Sequence, residues 1–174
     1  MVEPAAFAYN PETAGSNLAL LHGMLPFCDV LLYVSTQQKY RSARVTGELA
    51  QASTGCRLVG IDIHEGGIET ANAAARDDGL AERATFVFHD AQKPLPFADA
   101  SFDAIVCIDS MNHLFDREAV FREWSRVLND SGRFLFTDAV IVCAPLRREE
   151  IVRRSPAMGE FLFTPFGWYE RVLA

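Results

Sequence analysis

Short apolar runs recur along this chain at intervals that leave room for a helix between most of them. They are "DVLLYV" (29–34), "RLVGIDI" (57–63), "ATFVFHD" (84–90), "SFDAIVCID" (101–109) and "RFLFTDAVIV" (133–142). Strands this apolar have to be covered on both faces. Stretches with helical spacing lie after the first, second, fourth and fifth runs, giving the order β-α-β-α-β-β-α-β-α once strands three and four are counted in succession. That order predicts an α/β fold with a parallel sheet, helices on both of its faces and right-handed crossovers.

The helices expected are 11–25, 41–53 (weakened by Gly47), 67–79, 116–130 and 146–155. Gly79 is placed as the glycine just past a helix C-terminus. Asp116 is placed as an N-cap, and Ala119, Val120, Trp124, Val127 and Leu128 form the apolar stripe behind it. The 174 residues fit one domain. Within it, 1–28 reads as an arm and helix, 29–142 as the core, and 143–174 as a helical and aromatic segment.

Charge narrows the partners. The chain is 49% apolar and 22% charged, with a net charge of −7, and it lacks the basic stripe that neutralises phosphates. Arg147, Arg148, Arg153 and Arg154 are interleaved with Glu149 and Glu150 and read as a solvated helix face. No nucleic-acid partner is expected. No apolar run reaches the length of a membrane span, and the first residues lack the layout of a signal peptide, so no membrane insertion is expected. Cys28, Cys56, Cys107 and Cys143 lie in or beside apolar segments without C-x-x-C spacing and read as reduced, buried thiols of a cytoplasmic protein.

In a parallel sheet of this kind ligands gather beyond the carboxyl ends of the strands. Asp62 ends the second run, where a carboxylate can accept bonds from both hydroxyls of a ribose or simply form a turn. Asp90 ends the third, where it can accept a bond from an exocyclic amine such as that of adenine, or again form a turn. After the fourth run, Asp109, Ser110, Asn112 and His113 bring polar groups between two buried elements. His113 suits a general base or a hydrogen-bonded structural histidine.

The segments "LVGIDI" and "HDAQKPLPFADASFDAIVCIDSMNHLFDREAVFREWSRVLNDSGRFLFTDA" resemble the class I S-adenosylmethionine-dependent methyltransferases, in particular the small-molecule branch that includes ubiquinone- and menaquinone-type enzymes. The resemblance runs from about Leu49 to Ala139. It implies a Rossmann-like, mostly parallel sheet, S-adenosylmethionine as cofactor and a small-molecule methyl acceptor. Carried onto this chain, Asp62, with Ile63 beside it, matches the acid that grips the cofactor ribose. Asp90 and Ala91 match the pair that reads adenine. Ile108 and Asp109 match the residues bordering the methyl-transfer centre, and His113 matches a histidine near cofactor and substrate.

Two departures qualify that picture. The family's first strand leads into an acid and a glycine-rich turn whose backbone approaches the cofactor. Here "YVSTQQKYRSA" (33–43) has Tyr33 in place of the acid and no glycine. Three accounts fit: a degenerate site, a turn remodelled around Ser35, Thr36 or Lys39, or a stretch that does not represent an intact family sequence. The first leads to an alternative function, a non-catalytic methyltransferase-like protein that works through binding or assembly. A dehydrogenase of the same architecture would need the missing glycines as well. Second, "GWYERVLA" leaves no room for the family's full C-terminal antiparallel strand pair. Strand five is then expected to be an apolar edge that invites pairing with another chain, so that either a homo-oligomer or an incomplete fold is expected, with "FLFTPFGWY" (161–169) packing as core or interface rather than as a lid over substrate.

Overall fold

Leu31 and Tyr33 leave the first strand on one side, and Leu32 and Val34 on the other, and all four are buried. The computed structural model describes residues 28–35, 55–108, 110–138, 140–141, 164–165 and 167–174. Five strands form the main sheet: β1 (Val30–Val34), β2 (Arg57–Asp62), β3 (Ala84–Phe88), β4 (Phe102–Cys107) and β5 (Leu128–Phe136). Their order is β3-β2-β1-β4-β5, and every pairing is parallel. The fold is therefore Rossmann-like, and strand order reverses between β1 and β4. Helix α1 (Glu65–Asp77) follows β2, and helix α2 (Arg117–Val127) lies between β4 and β5.

The two faces carry separate cores. Ile68, Ala71 and Ala75 of α1 pack with Leu31, Tyr33, Leu58, Phe86 and Val106. Val120, Phe121, Trp124 and Val127 of α2 pack with Leu32, Val34, Ile61, Ile105 and Cys107. Each large apolar side chain so buried contributes about 1.5–3 kcal/mol, so the helices are held by these faces rather than by propensity. Gly60 in β2 is required by close approach, because a Cβ there would lie 2.2 Å from Cδ1 of Phe86.

Local signals act where expected. Asp116 caps α2 by accepting the Ala119 N–H at 3.0 Å, and Gly79 takes a left-handed φ of 69° after α1. Helix α1 begins at Glu65 rather than 67, because Nδ1 of His64 accepts the Gly67 N–H at 2.8 Å and serves as its cap. The larger difference concerns β5. "NDSG" is not a turn before the strand; it lies inside it. Helix α2 stops at Val127, β5 starts at Leu128, and the register slips between Phe102 and Ala104. The slip absorbs Asn129–Gly132 as a bulge, fastened by Asn129 Nδ2 to Oδ1 of Asp103 at 2.5 Å and by the Ser131 N–H to Asn129 Oδ1 at 3.0 Å. The other oxygen of Asp103 accepts the N–H groups of Asp29 and Val30 at 2.9 and 2.8 Å. One carboxylate thus ties together the amino ends of β1, β4 and β5.

Strand β5 ends at Phe136, not at 142. Beyond it, β6 (Val140–Ile141) pairs in parallel with β7 (Thr164–Pro165) as a separate two-stranded element, and α3 (Trp168–Val172) follows. Trp168 and Tyr169 pack against the α2-side core, with the Tyr169 ring 4.7 Å from that of Phe136 and 6.0 Å from that of Phe121. This part of the aromatic tail is core packing. Among the described residues there is no antiparallel strand pair, and no helix is long and apolar enough to cross a membrane. The helices expected at 11–25, 41–53 and 146–155, and Cys143, lie outside the described residues. Cys28, Cys56 and Cys107 are buried. Cys28 and Cys56 sit 3.4 Å apart; their mutual hydrogen bond pushes the Cys28 pKa up and the Cys56 pKa down.

Candidate functional site

Parallel pairing brings the strand ends level. The Ser35 N–H donates to the carbonyl of Ile61 at 2.9 Å, and the His89 N–H to that of Asp62 at 3.0 Å. Ser35, Asp62 and His89 therefore stand side by side at the carboxyl edge of β1, β2 and β3. Across the reversal point, the Thr137 N–H donates to the Cys107 carbonyl at 3.0 Å, aligning the ends of β4 and β5 in the same way.

Asp62 is 0% exposed, and its Oδ1 accepts the His64 N–H at 2.9 Å. Its carboxylate thus shapes the turn into α1 while standing at the strand end. Beside it, the Ser35 hydroxyl is buried and has no hydrogen-bond partner among the described residues. Burying an unpaired hydroxyl is unfavourable, and its position marks a place where a polar ligand group would be stabilised. Tyr33, at the position of the family acid, is a core residue 2% exposed. Residues 36–54, which hold most of the stretch that lacks the family's glycine turn, lie outside the described residues.

Asp90 forms a tight turn: its Oδ1 accepts the Gln92 N–H at 2.9 Å, and its carbonyl accepts that of Lys93 at 2.9 Å. The turn carries Ala91 into the core, 3% exposed. Ile63 is partly buried just past Asp62. Gln92 links this loop to the next, because its Oε1 accepts the Phe115 N–H at 2.9 Å.

Past β4, Ile108 is 3% exposed and Asp109 lies outside the described residues. Ser110 is fully buried and donates to the Ile108 carbonyl at 3.3 Å. Met111–His113 then form one 3-10 turn, closed by the His113 N–H to Ser110 at 3.0 Å and the Leu114 N–H to Met111 at 3.0 Å. His113 is half-buried, and burial pushes its pKa below the ordinary imidazole value. Burial thus favours its neutral form.

The loop between the Asp90 turn and β4 is held from outside the cleft by Arg126. Its guanidinium donates to the carbonyls of Leu95 and Phe97 at 3.0 and 2.9 Å and pairs with Asp99 at 2.7 Å and Glu123 at 2.8 Å. Glu123 also accepts the Leu95 N–H at 2.9 Å. Arg126 holds the Glu123 carboxyl below its usual range, and Glu123 first, then Asp99, raises the pKa of the arginine.

The structure therefore gathers Asp62, Ile63, Asp90 and Ala91 on the β2–β3 side of the edge, with Ile108 and His113 on the β4 side. Sequence reasoning missed Gln92 and Arg126 as organising groups, whereas Ser35 was among the residues named for a remodelled turn.

Residues 41–136, more than half of the chain, match the family described as "Methyltransferase domain". The chain belongs to that family. Among curated proteins, methyltransferase GfsG of Streptomyces halstedii is 41% identical over 88 residues, covering 51% of this chain and 31% of the relative. The 27-O-demethylrifamycin SV methyltransferase of Amycolatopsis mediterranei is 35% identical over 103 residues, covering 59% and 38%. The chain thus spans about a third of the length of these relatives. Among solved structures, the [4+2]-cyclase SpnF superposes with a TM-score of 0.76 at 22% identity, covering 98% of this chain and 59% of that one. Geranyl diphosphate C-methyltransferase from Streptomyces coelicolor A3(2) gives 0.73 at 16% identity, covering 94% and 60%. At such identities the structural likeness bears on the fold alone.

Proposed function

We propose that this chain carries the S-adenosylmethionine site of a methyltransferase acting on a small organic acceptor. The observation that carries the proposal is the row of Ser35, Asp62 and His89 beside the Asp90 turn, at the edge where strand order reverses. The name of one relative supports it, since the 27-O-demethylrifamycin SV methyltransferase acts on a small molecule by its description. So does the fold shared with geranyl diphosphate C-methyltransferase, whose structure holds S-adenosyl-L-homocysteine.

The residues present fit such a cofactor. Asp62 offers a carboxylate for the ribose hydroxyls, and the unpaired Ser35 hydroxyl beside it offers a further polar contact. Asp90 has its Oδ2 left to accept from the adenine amine, while Ala91 and Ile108 give apolar walls. When bound, S-adenosylmethionine supplies an electrophilic methyl on a sulfonium centre. The chain must orient the acceptor toward that methyl and exclude water. His113, whose neutral form burial favours, is the group placed to accept the proton of a protonated acceptor.

Titration calorimetry with S-adenosylmethionine and S-adenosyl-L-homocysteine tests the reading. Heat of binding is expected for the wild type, with a large loss of affinity for Asp62→Ala. A wild type giving no heat at millimolar ligand would overturn it.

A further inference from the structure

Arg117 opens helix α2 yet is only 8% exposed. A cation at a helix N-terminus opposes the helix dipole, so something must offset its position. Its Nη2 lies 3.2 Å from Oδ2 of Asp138, whose side chain is 1% exposed. The same oxygen accepts the Tyr169 hydroxyl at 2.6 Å. On its other side, Arg117 Nε donates to the carbonyl of Met111 at 3.3 Å. A continuous polar path therefore runs from α3, through the segment after β5 and the start of α2, to the first residue of the turn that ends in His113.

Such a path is a poor way to gain stability. Buried ion pairs are often matched or bettered by apolar packing, and Tyr169, which joins this one, already packs its ring against Phe121 and Phe136. What the ion pair does supply is direction. It fixes the Met111 carbonyl, while Gln92 fixes the Phe115 N–H at the other end of the same loop. The Met111–His113 turn is held at both ends by groups from elsewhere in the chain.

Building on the methyltransferase reading above, we propose that Tyr169, Asp138 and Arg117 are positioning residues that set how the Met111–His113 turn presents the His113 imidazole to the acceptor. The C-terminal helix is thereby part of the working site.

The test is NMR of the full chain with ¹³C-labelled histidine, the His113 signal being assigned with His113→Gln. Tyr169→Phe removes one hydroxyl and keeps the ring on Phe136. It is expected to shift the His113 resonance and to move its titration midpoint up toward the ordinary imidazole value of about 6.5, with the His64 and His89 signals in place and the affinity for S-adenosyl-L-homocysteine unchanged. Arg117→Lys, which keeps the charge and loses the Nε bond, is expected to do the same and stands in if Tyr169→Phe does not fold. A lowered Tm with the His113 resonance and midpoint as in wild type would overturn the proposal and leave the network a structural strut. Because the histidine readout needs no cofactor, it decides this point even if the wild type fails to bind S-adenosyl-L-homocysteine.

Discussion

Gly60→Ala is the sharpest test of how the sheet supports the site. Gly60 lies within β2, paired with Tyr33 on β1 and Phe86 on β3. An added Cβ would meet Cδ1 and Cε1 of Phe86 at 2.2 and 2.5 Å. Restoring an ordinary carbon contact of about 3.5 Å requires a retreat of roughly 1 Å. Phe86 is poorly able to give it. Its ring is 3% exposed, and its backbone is clamped by Asn72, whose Oδ1 accepts the Phe86 N–H at 3.0 Å while its Nδ2 donates to the carbonyl at 2.9 Å. Overpacking of this kind costs about 1–3 kcal/mol. For a chain of this size a loss of 2 kcal/mol lowers Tm by about 4–8 °C. The displaced strand carries Asp62 two residues further on, so affinity for S-adenosyl-L-homocysteine should fall as well. Differential scanning calorimetry and urea titration measure the stability change. Phe86→Leu in the Gly60→Ala background should recover part of it, with a coupling of about 0.5–3 kcal/mol. A Gly60→Ala protein with wild-type Tm, or a loss that Phe86→Leu leaves untouched, would refute the steric argument.

Other outcomes follow from the loop that Arg126 holds. Glu123 has its folded-state pKa depressed by Arg126 and by the Leu95 N–H, so its contribution is full above the unfolded carboxylate value near 4.5 and drains away as pH falls through the folded value. Glu123→Gln should therefore lower Tm at neutral pH and converge with wild type in acid; an equal deficit at both would remove the carboxylate from the explanation. Ala100 in the same loop has a left-handed φ of 53°, a strain of about 1–2 kcal/mol for a residue with a Cβ. Ala100→Gly should relieve it, less about 0.5–1 kcal/mol of added chain entropy, giving a small rise in denaturation midpoint; a clear drop would show that the surrounding bonds do not impose the strain.

What could be read from sequence alone divides along physical lines. Continuous apolar runs announced the parallel strands, because burial on both faces leaves no polar alternation. Asp116 and Gly79 announced helix ends, because each acts within one turn of itself. Asp62 and Asp90 were visible because they end such runs, and the methyltransferase resemblance rests on the segments around them. The start of β5 was hidden: Asn129–Gly132 has the composition of a turn, and only Asp103, 26 residues earlier, holds it as a bulge. The link between Tyr169 and Asp138 spans 31 residues and follows no period that a sequence can display. Gln92 and Phe115 are 23 residues apart in the same way.

Asp103 has a consequence for the order in which the molecule is completed. It reaches 74 residues back to Asp29, fastening β1 to β4, whereas β1–β2–β3 and β4–β5 each join strands that are consecutive in the chain. Closing a loop of that length has a length-dependent entropy of about 4 kcal/mol. Asp62 and Asp90 belong to one side of this seam, and His113 and Arg117 to the other. On the proposed function the cofactor would seat between them, and at a hundredfold excess over its Kd it would stabilise the joined form by about 2.7 kcal/mol. Ligand capture would then favour closure of the seam, and the rate at which the chain refolds should depend on the cofactor if the seam closes before the slowest step.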